Sequence, residues 1–120
     1  MRRLCLPLLA AAAFIAGTTQ TAVAATPKPV TFTIVVGKKG VAGGPKKITL
    51  KKGTRVVLVV QISTALRAEE VHFHGYDIER EVITGKPVRL LFTARLTGRF
   101  ALELHLKGGL ELPIAEITVR

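Results

Sequence analysis

Beyond residue 29 the apolar residues come in short runs or alternate with polar ones, and the runs are broken by glycine, proline or paired lysines. Alternation with period two marks a strand with one buried face, whereas a helix needs apolar positions three and four apart. Residues 30–36 (VTFTIVV) are β-branched and aromatic and predict a strand. Residues 37–45 hold four glycines and a proline and predict a hairpin connection. A short strand at 48–50, a turn at 51–54 and a nearly continuous apolar strand at 55–62 (RVVLVVQI) follow. Residues 63–68 read as a loop or one helical turn. Residues 70–76 (EVHFHGY) alternate again, 85–87 turn, and 88–93 (VRLLFT) predict another strand. Thr97 and Gly98 lead into a strand at 99–106, Gly108 and Gly109 interrupt it, and a strand at 114–119 closes the chain. Seven strands with short breaks, no repeat and no linker predict one all-β domain, an antiparallel β-sandwich.

The opening 25 residues belong to a different pattern. Met1, Arg2 and Arg3 give a positive start, an apolar stretch runs from Leu4 to Gly17, and small residues at Ala22, Val23, Ala24 and Ala25 offer a cleavage site. This is the form of an export signal, so 1–25 are expected to be a cleaved signal peptide, 26–120 the domain, and the protein periplasmic or secreted. The one cysteine, Cys5, and the one methionine, Met1, both fall in that segment. The domain of about 95 residues therefore has no sulfur donor, no disulfide and no cysteine nucleophile.

Charge changes the picture along the chain. From Thr26 to Ala68 there are nine basic residues and no acid, while from Glu69 onward there are eight acids and seven bases. The basic half makes an electropositive surface suited to acidic partners or anionic lipid headgroups. Nucleic acid is not expected as a partner, because one Tyr and five Phe leave no stacking platform for bases. Nor is an enzyme expected. Ser63 is the sole serine and lies in no nucleophile elbow, the glycines at 37–44 open no helix, and Glu79 and Glu81 have no evident cleft.

The order of motifs resembles the cupredoxins. An early apolar strand is followed by the ITLKKGTRVVL segment at 48–58, by EVHFHGYD at 70–77, and by TGRFAL at 97–102 ahead of the last strand. The HFHGYD stretch is especially similar to exported bacterial cupredoxin-like domains, related to the cupredoxin module of periplasmic iron-uptake proteins. The resemblance implies a Greek-key β-sandwich over the whole domain. It places His74 at the family's first histidine ligand and the cysteine ligand near Leu104. A blue-copper centre needs two His, a Cys thiolate and usually a Met, and the segment 107–113 supplies neither a second His nor a Met. No blue-copper centre is expected.

Imidazole and carboxylate donors remain. His72 and His74 are two apart and share one strand face, with Val71 and Phe73 on the other. Ala101, Glu103 and His105 likewise share a face opposite Phe100, Leu102, Leu104 and Leu106, which are expected in the core. If the two strands are neighbours, as the family's topology implies, His72, His74, His105 and Glu103 converge into a site for copper as Cu(II), or for another divalent metal. The opposing expectation is that the histidines are ordinary half-exposed side chains. The protein would then be a metal-free structural or interaction domain of the cell envelope, docking a protein partner through its basic face or an edge strand. Gly75 suggests a bulge or a close backbone approach, and Asp77 a residue that caps the following loop.

Overall fold

A computed structural model describes residues 11–120. The positive start of the expected signal, Met1 to Arg3, and Cys5 lie outside the described residues. Residues 11–29 carry no regular secondary structure, and Phe14, Ile15 and Val23 among them are fully exposed.

Nine strands follow: β1 (Val30–Gly37), β2 (Gly40–Gly43), β3 (Lys47–Leu50), β4 (Arg55–Ile62), β5 (Ala68–Phe73), β6 (Ile78–Glu81), β7 (Val88–Thr93), β8 (Gly98–Leu106) and β9 (Leu110–Val119). The strands form two sheets, one ordered β2-β1-β4-β7 and the other β3-β9-β8-β5-β6. This is the all-β sandwich expected from the alternation. Two pairings, β1 with β4 and β3 with β9, are parallel, and the rest are antiparallel. Parallel neighbours arise because the chain leaves the four-stranded sheet after β2, adds β3 to the other sheet, and only then returns beside β1 as β4.

Two strands lie where the pattern of residues gave none. Within the glycine-rich hairpin, β2 pairs with β1 through Val36 and Val41. The second, β6, pairs with β5 although only Ile78 of its four residues is even partly buried. A single turn of 3₁₀-helix at Thr64–Leu66 occupies the connection from β4 to β5, started by Ser63, whose hydroxyl accepts from the Ala65 N–H.

The core is the space between the sheets. Ile34, Val36, Val56, Leu58, Val60 and Leu90 face it from one side, and Val71, Phe73, Leu102, Leu104, Ile114 and Ile117 from the other, all at most 2% exposed. No buried position is polar or charged among the described residues. Burying side chains of this size contributes about 1.5–3 kcal/mol each relative to leaving them exposed. The alternation of β5 and β8 is thereby locked: with Val71, Phe73, Leu102 and Leu104 inward, the residues between them must face outward.

Candidate metal centre

Outward-facing side chains of the five-stranded sheet include all three histidines of the chain. Strand β5 pairs antiparallel with β8, setting His72 opposite Glu103 and Glu70 opposite His105. On its other side β5 pairs with β6, setting His72 opposite Glu79 and Glu70 opposite Glu81. Strand β9 puts Glu111 opposite His105 and Pro113 opposite Glu103. The outer face is thus a lattice with imidazoles at its centre and carboxylates around them.

His74 lies one residue past the end of β5 and keeps the ladder going, its N–H donating to the Ala101 carbonyl at 3.0 Å. The chain then turns sharply through Gly75 (φ 81°) and Asp77 (φ 50°). A Cβ on Gly75 would sit 2.3 Å from the Phe100 ring, so this position requires glycine both for its backbone angle and for its space. Tyr76 turns back towards the core and stacks on Phe73, ring centroids 4.9 Å apart and planes 3° from parallel. Its hydroxyl donates to the Leu96 carbonyl at 3.0 Å and accepts from the Leu96 N–H at 3.1 Å. This pins the turn against the β7–β8 connection and so holds His74 in place. Asp77 stands in the turn and belongs to no cluster of metal-ligating donor atoms among the described residues.

The rings meet closely. His72 and His74 have centroids 4.0 Å apart, and His105 meets His72 edge-on at 5.4 Å. One ring nitrogen from each of His72, His74 and His105 lies within 4.8 Å of the others. Nitrogens sharing an ion at about 2.0–2.1 Å stand about 3–4 Å apart, a spacing that separations within 4.8 Å approach. A second group, Glu70, His72 and Glu79, meets the same separation. Nε2 of His105 is buried with no hydrogen-bond partner. The nearest carboxylate on that side, Glu111 Oε1, is 3.9 Å away.

The structure therefore brings together the three histidines named from the sequence. Glu103, the expected oxygen donor, is bonded to one of them: its Oε2 is 2.7 Å from Nε2 of His74. A carboxylate on one ring nitrogen sets the tautomer and orientation of the ring and leaves the other nitrogen for an ion. Glu70 and Glu79 approach the cluster as closely as many ion pairs do, Glu70 Oε1 at 3.5 Å from His105 Nδ1 and Glu79 Oε1 at 3.7 Å from His72 Nε2. Neither was singled out from the sequence as a ligand. The parity of Glu70 with His72 was readable, but the strand β6 that delivers Glu79 and the register that sets Glu70 beside His105 were not.

Comparisons with known proteins bear on the fold. No family model matches the chain, and no curated protein does. Solved structures do match. A copper-binding protein in its apo form is similar with a TM-score of 0.55 and 17% identity, over 75% of this chain and 86% of that one. The metal-binding domain of a Cu(I)-exporting P-type ATPase of Streptococcus pneumoniae is similar with a TM-score of 0.57 and 20% identity, over 75% and 84%. The copper nitrite reductase of Nitrosomonas europaea is similar with a TM-score of 0.56 and 18% identity, over 77% of this chain and 41% of that one. The fold is cupredoxin-like.

A blue-copper centre does not fit these residues. No Cys or Met occurs after residue 5. Leu104, where the resemblance places the cysteine, is fully buried between the sheets, on the side of the five-stranded sheet away from all three imidazoles. The histidine cluster of this cupredoxin-like chain is an arrangement of the outer face.

Proposed function

We propose that this protein is an exported binding module that holds one divalent metal ion, copper(II) foremost, through His72, His74 and His105. The observation that carries the reading is the approach of one ring nitrogen from each of the three histidines to within 4.8 Å of the others, in a cluster where Nε2 of His105 is buried without a hydrogen-bond partner. An unsatisfied buried polar atom costs about 1–3 kcal/mol, and a bound ion gives the cluster a partner that the chain itself does not supply. Imidazole donors suit copper and zinc, with copper(II) at the top of the divalent affinity series. Copper-binding proteins among the similar structures support copper as the element, though not its oxidation state.

Glu103 acts in this site through His74, holding its ring with Oε2. Without thiolate the site has no tuned redox centre, so the role that fits is storage, delivery or sensing of the ion and no catalysis. Export follows from the basic start, apolar stretch and small residues at 22–25.

Calorimetric titration of the full chain with Cu(II) and with Zn(II) tests the reading. One ion per chain is expected, with affinity at least about tenfold lower in His72→Ala and in His105→Ala, the scale on which even outer-shell partners of metal ligands act. Binding no tighter than that of a scrambled peptide with three histidines would contradict it.

A further inference from the structure

The two clusters of donor atoms share one residue. His72 belongs to the three-imidazole group and also to the group with Glu70 and Glu79. They differ in chemistry and in exposure. Glu79 stands on β6, the edge strand of the sheet, with its side chain 60% exposed, while His72 beside it is 19% exposed. Glu70 touches His105, a member of the inner group, at 3.5 Å. No gap separates the outer donors from the inner ones. Carboxylate oxygens are hard donors that suit weakly held, hydrated ions, whereas imidazoles hold copper and zinc more strongly.

We infer that the outer face offers one ion two overlapping positions: Glu70, His72 and Glu79 receive it at the sheet edge, and His72, His74 and His105 then keep it. This rests on the function proposed above and adds the route by which the ion enters and leaves. His72 stays bound throughout, so the ion exchanges carboxylate for imidazole without ever losing all its protein ligands.

Two measurements on the full chain test the route. In the first, Zn(II) is taken from a chromophoric chelator in a stopped-flow instrument. Glu79→Gln is expected to slow loading by about tenfold, within the range over which local charge alters association rates, with the final affinity little changed. Glu81→Gln removes an equal charge from the same strand outside the trio and is expected to load at nearly the wild-type rate. Equal slowing in both variants, or in neither, overturns the route. In the second, the double variant His74→Ala/His105→Ala is titrated with Mn(II), which favours carboxylate. A weak residual site that disappears when Glu79→Gln is added supports the outer position, and no residual site overturns it. The two failures are distinguishable: a wild type that takes up no Zn(II) defeats the proposed function, whereas a wild type that binds Zn(II) but fails these tests defeats only the route.

Discussion

Among the described residues, Nε2 of His105 is the buried side-chain polar atom left without a hydrogen-bond partner, with Glu111 3.9 Å away. A side chain kept for stability alone would gain from being apolar at this place. Changing His105→Leu is therefore expected to raise the stability of the ion-free protein by about 1 kcal/mol in urea denaturation while removing most metal affinity, since an unsatisfied buried group is lost and two partly exposed ion pairs contribute little. A destabilised His105→Leu protein would instead make the histidine structural. Glu103 is the complementary case. Replacing it with Gln keeps a hydrogen-bonding group for His74 but removes the charge, and affinity for Cu(II) in the same titration is expected to drop about 10- to 100-fold.

At the scale of elements, the histidines depend on a turn that contributes no ligand after its first residue. Gly75→Ala drives a methyl into the Phe100 ring at a left-handed backbone position, so it is expected to destabilise by more than about 1 kcal/mol and to weaken metal binding by displacing His74. Tyr76→Phe keeps the stack on Phe73 but leaves the Leu96 amide and carbonyl without their partner, with an expected loss of about 1–2 kcal/mol in urea denaturation. The sequence made the strands of the site legible because β5 and β8 alternate cleanly, and parity alone separated His72, His74, Glu103 and His105 from Val71, Phe73, Leu102 and Leu104. It did not reveal what parity cannot carry. The shift in register between Ala68 and Glu70 leaves Glu69 as an extra residue, which lets Ala68 pack inward while Glu70 still faces out opposite His105. A second irregularity in β9 puts Ile114 and Ala115 both in the core and aligns Glu111 with His105. Strand β6 escaped notice because, as an exposed edge, it buries too little to leave an apolar signature. The turn at Gly75 was readable from the glycine itself, though its partner, Phe100, was not.

Across the whole molecule the acids, though not the bases, are confined to one sheet. All eight acids of the chain lie on strands or turns of the five-stranded sheet, and none lies on β1, β2, β4 or β7. A protein with a formal charge of +10 thus presents its histidines within a local field that attracts cations. Association of Zn(II) is expected to slow as salt is raised from low to physiological strength, because exposed carboxylates are screened beyond about 8–10 Å; acceleration by salt would mean that the overall positive charge governs the encounter. Binding to the folded form alone also raises thermal stability by mass action, about 2.7 kcal/mol at an ion concentration one hundred times the dissociation constant. The most direct measurement of the central claim is electron paramagnetic resonance of the copper(II)-loaded full chain. Splitting from several imidazole nitrogens, reduced in His74→Ala and in His105→Ala, and without the intense blue absorption of a thiolate ligand, is the predicted result. A spectrum unchanged by either substitution would contradict it.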